Sequence, residues 1–345
     1  MPNEIVTRAI DAVCDGEHLT TDHAAAVLSE IMGGRSSEVQ TAAFLIALRA
    51  KGETVPELVG LARTMRELAT PVALDTTGLG LVDTAGTGGG PSTFNVSTTA
   101  ALIAAGAGCA VAKHGNRSST SRSGSADVLE ALGVRIDLAP QAVASCIEQT
   151  GFGFIFAPAH HLAMKHVAPV RKELAVRTIF NFLGPLTSPA GASRQLLGVS
   201  DRRYQETIAE ALAGLGCDHA LVVTGEDGLD ELTISGTSRV IEVQRGGTEE
   251  WYLSADEVGL SEAPLEELAG GSPEENATMT RAVLAGDPGP RRDVSVLNAG
   301  AAIYVSGEAD GLPDGVRAAQ EAVDSGAAAR TLERLVELTG ELADG

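Results

Sequence analysis

Between Asp83 and Asp127 the chain carries no Asp or Glu, although its 345 residues have a formal net charge of -21. That acid-free stretch holds three groups of residues able to bind an anion. The first is a glycine-dense turn, Gly86-Thr87-Gly88-Gly89-Gly90. The second is a hydroxyl and amide cluster around Thr93, Asn95, Val96, Ser97 and Thr98, opening an Ala-rich helical segment. The third is Lys113-His114-Gly115-Asn116-Arg117, leading through Ser118, Ser119, Thr120 and Ser121 to Ser125. Glycines let backbone N–H groups turn toward a ligand. A helix N-terminus adds unpaired N–H groups and a favourable dipole. Hydroxyls donate to phosphate oxygens, and Lys and Arg neutralise them. Together these residues predict a phosphate pocket. Neither GxxxxGK[ST] nor GxGxxG is present, so the pocket is not one of the common nucleotide loops.

Two further stretches complete this chemistry. Gly225 to Glu231 follows the apolar run Leu221-Val222-Val223 and carries Asp230 and Glu231. Carboxylates in a loop at a strand end can hold Mg2+ through oxygens, with phosphates filling other positions. Between Glu148 and Asp201 the only acid is Glu173, while His160, His161, Lys165, His166, Arg171, Lys172 and Arg177 crowd the tract. Arg171 can grip a carboxylate with two parallel hydrogen bonds, which predicts a cationic rim for an acidic substrate. The histidines lack the companion Glu and Cys of a zinc site.

The elements that must position these residues are legible in the apolar pattern. Aromatics make up only 3% of the chain, so the core must be built from Ala, Val, Leu and Ile, as suits helices packed on a parallel sheet. Residues 1 to about 70 read as four helices, with Gly33-Gly34 ending the second, Gly52 the third, and Thr54 to Glu57 a capping box for the fourth. Beyond a hinge at Thr70 to Gly80, short strand-like runs at 110–112, 154–156, 195–199 and 220–223 alternate with helical segments. Thr233-Ile234 and Arg239 to Val243 read as a hairpin-like extension, with Trp251 to Leu253 nearby. The chain ends in helices at 274–284, 294–303 and 327–338. The expected class is α/β: a small all-helical domain plus a large α/β domain with a mainly parallel central sheet flanked by helices.

Composition narrows the partners. The acidic balance argues against nucleic acid and anionic membranes. No apolar run reaches a membrane span and no signal peptide is recognisable. Cys14, Cys109, Cys146 and Cys217 show neither metal nor redox spacing, which suggests free thiols in a reducing, cytoplasmic setting.

The blocks GTGG, TFNVST, KHGNRSSTSRSGSADVLEALG, HHLAMKHVAPVRKELAVRTIFNFLGPLTSPA and GLDEL resemble, in order and spacing, those of the anthranilate phosphoribosyltransferases of tryptophan biosynthesis. The resemblance covers nearly the whole chain. It implies transfer of a phosphoribosyl group from phosphoribosyl pyrophosphate to the amine of anthranilate, dependence on Mg2+, and a homodimer. It implies a helical domain, 1–76, joined by a returning segment near 172–192, and a phosphoribosyl pyrophosphate-binding α/β domain, 77–345. Residue by residue, Gly86, Gly89, Gly90, Thr93, Asn95, Val96, Ser97, Thr98, Lys113 to Ser121 and Ser125 would surround the phosphoribosyl pyrophosphate. Ser97, Asp230 and Glu231 would hold Mg2+. Gly86, Asn116 and Arg171 would contact anthranilate, with His114 and His161 lining its approach. Lys113, Asp230 and Glu231 would carry the catalysis. The chain departs from the family pattern at Gly90, where most members have Asp, and in the following Pro91-Ser92 loop, one residue shorter than in many relatives. Nucleoside phosphorylases, which share the architecture, and nucleic-acid-binding relatives are the competing readings. The Asp230-Glu231 pair disfavours the first and the net charge the second.

Overall fold

The computed structural model describes residues 2–118, 122–245 and 247–344. The predicted Ser119, Thr120 and Ser121 lie outside the described residues. Four helices open the chain: α1 (Glu4–Cys14), α2 (Thr21–Met32), α3 (Glu38–Lys51) and α4 (Val55–Glu67). Each begins where a polar side chain takes up an otherwise unpaired backbone N–H. Asn3 caps α1, accepting from Val6 N–H at 3.1 Å, and Ser37 caps α3 through Gln40 N–H at 3.2 Å. At α4 the Glu57 carboxylate accepts from both the N–H and the hydroxyl of Thr54 at 2.8 Å.

Seven strands form one sheet in the order β3-β2-β1-β4-β5-β6-β7. β1 (Val82–Gly86), β2 (Val111–Gly115), β3 (Phe152–Phe156), β4 (Arg194–Gly198) and β5 (His219–Gly225) are parallel. β6 (Ser238–Gln244) and β7 (Gly247–Leu253) add an antiparallel edge. The chain runs outward from β1 to β2 and β3, then crosses to β4 on the other side. Strand order therefore reverses at β1 and β4, and a crevice opens beyond their carboxyl ends.

The remaining helices cover the sheet. After β1 come α5 (Val96–Gly106), α6 (Ser125–Ala131) and α7 (Pro140–Thr150). Three short helices follow β3, namely α8 (Ala157–His160), α9 (Ala168–Leu174) and α10 (Phe180–Leu183). Then come α11 (Gln205–Gly214), α12 (Pro273–Leu284), α13 (Pro290–Ser306), α14 (Leu312–Asp324) and α15 (Ala327–Asp344). Alternation along the strands divides the apolar side chains between two cores. Leu196 and Leu221 join α5, α7 and α13 in one, and Leu197 and Val222 join α11 and the N-terminal helices in the other. That second core also takes Val167, Val170, Ile179, Phe182 and Leu186 from the segment that follows β3, which thus returns to pack with the N-terminal helices.

Two readings of the sequence need correction. The edge hairpin pairs Arg239–Val243 with the strand ending in Trp251-Tyr252-Leu253, not with Thr233-Ile234. Thr233 instead closes a loop, its N–H donating to Ser238 Oγ at 2.9 Å and its hydroxyl to Asp227 at 2.6 Å. The sequence reading also passed over α14, which packs on α13 through Gly315 and Gly300; a Cβ on Gly300 would crowd the backbone of Val316.

Candidate active site

The carboxyl ends of β1 and β4 carry glycine in register, Gly86 opposite Gly198. Their missing side chains make room for the loop after β5. A Cβ on Gly86 would overlap the Asp230 carboxylate, and one on Gly198 would overlap the Asp230 carbonyl. Asp230 and Glu231 are thereby seated at the switch point of the sheet. Neither the spacing nor the composition marks Gly198 for this role; only strand register exposes it.

A cleft of about 1230 Å³ opens at this point. It gathers Gly86 to Gly90, Thr93 to Thr98, Lys113 to Ser118, Ser125, Arg171, Asp230 and Glu231 onto one continuous wall. Every donor, acceptor and metal-site residue expected from the sequence and described by the structure lines it. Met65 of α4 and Phe180, Asn181 and Gly184 of the returning segment form the opposite lip.

The glycine turn follows β1 directly. Gly88 and Gly89 have φ of 64° and 91°, left-handed conformations that glycine adopts without strain. Gly88 N–H donates to Asp230 Oδ2 at 2.7 Å. Gly90 sits tight against the acid loop. A Cβ there would lie 2.5 Å from the Gly228 carbonyl, so the turn packs backbone to backbone on the acid loop.

Asn95 precedes α5 and is held from three sides. Its Oδ1 accepts from Ser123 Oγ at 3.1 Å and Asn276 Nδ2 at 2.8 Å, and its Nδ2 donates to the Ser123 carbonyl at 3.2 Å. Asn276, at the start of α12, was not foreseen, because it lies far along the chain in an unremarkable polar run. Lys113 is buried on β2. Its Nζ donates to the Thr84 carbonyl at 2.5 Å and to Thr84 Oγ1 at 3.2 Å. Burial pulls its pKa down, and the nearby Asp83 and Glu231 carboxylates pull it back up.

Arg117 is the least committed to the cleft of the predicted cations. Its guanidinium pairs with Asp127 at 2.9 Å and Glu130 at 2.5 Å, the first acids beyond the acid-free stretch. Arg171 is the reverse case. It lies with its guanidinium 5.5 Å from the Phe180 ring centroid and has no acidic partner among the described residues. Burial alone lowers its pKa. His114 and His161 face each other with ring centroids 5.1 Å apart. Burial, reinforced by neighbouring imidazoles, lowers their pKa to about 3 and about 4, so both rings are neutral at pH 7.

The acid pair can hold a cation. Burial and then the Asp230 charge raise Glu231 to about 8, and burial raises Asp230 as well. The hydroxyl and N–H of Ser97 both reach Glu231. Two buried carboxylates with too little positive charge around them, beside a hydroxyl, suit a hard divalent ion. Among the described residues no three His, Cys, Asp or Glu side chains cluster to bind a metal alone. The donor set fits Mg2+ only if a ligand supplies further oxygens.

Comparison with known proteins agrees with this geometry. Residues 7–69 match the helical bundle domain of a glycosyl transferase family, and residues 79–329 match its a/b domain. The chain is 52% identical over 331 residues to the anthranilate phosphoribosyltransferase of Symbiobacterium thermophilum, covering 96% of each. It is 52% identical over 341 residues to that of Rubrobacter xylanophilus, covering 98% of this chain and 99% of the relative. The crystal structure of the Thermus thermophilus protein of the same name superposes with a TM-score of 0.90 at 48% identity, covering 96% of this chain and 99% of the other. A Saccharomyces cerevisiae protein of that name, solved with phosphoribosyl pyrophosphate and Mg, superposes with a TM-score of 0.88 at 28% identity, covering 97% and 98%.

Proposed function

The chain belongs to the anthranilate phosphoribosyltransferases, Mg2+-dependent glycosyltransferases, and from that premise we propose how its cleft divides the work of moving a phosphoribosyl group onto the amine of anthranilate. One observation carries the reading. A single cleft sets a half-buried, acid-free Arg171 against a buried Asp230-Glu231 pair and a glycine turn. The first suits a carboxylate-bearing acceptor, and the second a diphosphate sharing a metal ion.

On the donor side, Gly86 to Gly90, Thr93, Asn95 to Thr98, Lys113 to Ser118 and Ser125 surround phosphoribosyl pyrophosphate. Ser97, Asp230 and Glu231 hold Mg2+ together with its diphosphate, and the bound ion supplies charge stabilisation for the departing pyrophosphate. Lys113, fixed beneath the floor by Thr84, adds a preorganised positive charge. On the acceptor side, Arg171, Asn116 and Gly86 orient anthranilate, and His114 and His161 present neutral rings to it. An aryl amine attacking an oxocarbenium-like C1 needs no strong general base. Neutral histidines suit that requirement, and positioning supplies much of the rate. Residues 1–76 with the returning segment form one domain that closes over 77–345 and keeps out water. Val39, Ile46 and Ile5 on α1 and α3 are 79%, 38% and 46% exposed, an apolar face that suits a homodimer of cytoplasmic chains.

The test is direct. Anthranilate fluorescence should be lost only when the protein, phosphoribosyl pyrophosphate and Mg2+ are all present. Phosphate-dependent consumption of a nucleoside without such loss would transfer the assignment to the phosphorylases. Val39→Asp should shift the protein from dimer to monomer in light scattering, and an unchanged mass would remove that face from the interface.

A further inference from the structure

The glycine turn is gripped by an arginine of the same cleft wall that donates to backbone carbonyls. Arg177 lies on the returning segment, six residues after Arg171. Its Nη1 donates to the Gly88 carbonyl at 2.9 Å and its Nη2 to the Thr87 carbonyl at 3.3 Å. Ser200, just beyond β4, donates its hydroxyl to the same Gly88 carbonyl at 2.7 Å. A Cβ on Gly89 would overlap the guanidinium, so only glycine admits this approach.

The consequence follows from peptide geometry. In a trans peptide the N–H points opposite to the C=O of the same plane. No cis peptide is present among the described residues. Drawing the Thr87 carbonyl back sends Gly88 N–H the other way, and it is found on Asp230 Oδ2 at 2.7 Å. Drawing the Gly88 carbonyl back in the same manner sends Gly89 N–H away from Arg177. That N–H has no partner among the described residues. Two carbonyls that would repel a diphosphate are thus each engaged by Arg177, Gly88 N–H is committed to Asp230, and Gly89 N–H is the donor left open to a ligand.

The segment bearing Arg177 is itself held in an uncommon shape. Ala175, between Arg171 and Arg177, has φ of 49°, the only positive value outside glycine among the described residues. A left-handed alanine is a strained conformation that the surrounding packing must hold. It ends α9 abruptly and directs the chain so that Arg171 stays beside Phe180 while Arg177 reaches the turn, with its guanidinium 5.9 Å from the Phe182 centroid.

We propose that Arg177 is a positioning residue for the phosphoribosyl transfer, holding the Thr87 and Gly88 carbonyls so that Gly88 N–H stays on Asp230 and Gly89 N–H stays open to the diphosphate, and tying that turn to the segment that carries the acceptor-binding Arg171. The proposal rests on the substrate assignment above. Arg177 acts through the backbone, assisted by Ser200, rather than by lending its charge to the ligand.

Steady-state kinetics and hydrogen exchange of the peptide spanning residues 83–95 test this on the full-length protein. Arg177→Met is expected to raise the KM for phosphoribosyl pyrophosphate about tenfold, with the anthranilate KM within about twofold and faster exchange of the turn before any substrate is added. Ser200→Ala should show the same pattern at smaller size. Arg177→Lys should recover little, because an ammonium does not span two carbonyls as the guanidinium fork does. Full recovery by Lys, or a raised KM with unchanged exchange in the free protein, would mean that the charge acts on the ligand and would overturn the proposal. A fall in melting temperature with both KM values unchanged would overturn it also, reducing Arg177 to a structural prop. Wild-type protein that fails to ribosylate anthranilate would refute the substrate assignment instead, and the exchange measurement would still report on the turn.

Discussion

Gly198→Ala tests whether the acid pair is placed by the missing side chains at the ends of β1 and β4. The added methyl would overlap the carbonyl oxygen of Asp230 and lie 3.0 Å from its Cα. Ordinary contact between such atoms needs about 3.5 Å, so the loop must retreat on the order of 1–2 Å. Backbone cannot yield as a flexible side chain does, and overpacking of this kind costs about 1–3 kcal/mol of stability. The same retreat carries Asp230 away from Gly88 N–H, now 2.7 Å from its carboxylate, and displaces Glu231. A misplacement near 1 Å costs about 100-fold in rate. The expected result in the anthranilate fluorescence assay is a kcat/KM lower by about 100-fold, with a higher Mg2+ concentration needed for half-maximal rate. Gly340→Ala in α15 is the control, because nothing lies within 4 Å of its added methyl. It should stabilise the protein by about 0.5–1 kcal/mol and leave kinetics unchanged. Wild-type kcat/KM and Mg2+ dependence in Gly198→Ala would refute the reasoning.

Arg171→Ala should raise the anthranilate KM well above any change in the KM for phosphoribosyl pyrophosphate; an unchanged anthranilate KM would remove Arg171 from the acceptor site. Asp230→Asn with Glu231→Gln should sharply weaken the response to Mg2+, which a Mg2+ titration of initial rate reads; wild-type turnover would sink the metal assignment. His114 and His161 are held neutral at about 3 and about 4, below their unfolded value near 6.5. The unfolded chain therefore binds more protons below pH 6.5, and stability is lost as pH falls. By pH 5 each ring accounts for about 2 kcal/mol. Asp83 and Glu231, raised to about 7 and about 8, act oppositely between pH 4 and 8. The clean readout is a difference: His161→Leu should flatten the pH 5–7 stability curve in urea melts, and an unaltered slope would contradict the buried neutral ring.

What the sequence made legible was local. Glycine stops and a capping box drew the N-terminal helices, because Gly33, Gly52, Thr54 and Glu57 act on neighbours within a few residues. The acid-free stretch revealed the cleft because charge composition needs no knowledge of the fold. The partners that reach across the chain stayed hidden. Gly198 matters only through register with Gly86, Asn276 only because α12 returns to Asn95, and Arg177 only because the segment after β3 crosses back to the glycine turn. Arg117 shows the converse. Its type and place suggest a phosphate ligand, and Asp127 and Glu130, in the first two turns of the next helix, already pair with its guanidinium. The hairpin was misassigned because Thr233 and Ile234 are β-branched like strand residues, while side-chain bonds to Asp227 and Ser238 commit Thr233 to a closed loop.

Central to the proposed mechanism is a diphosphate settling in the carboxylate-free hollow with a metal ion held at Asp230 and Glu231. Calorimetric titration of phosphoribosyl pyrophosphate into the protein, with and without Mg2+, measures this without any turnover. Binding should be strongly tightened by Mg2+ in the wild type and lose that dependence in the Asp230→Asn, Glu231→Gln protein. Equal Mg2+ enhancement in both proteins would contradict it.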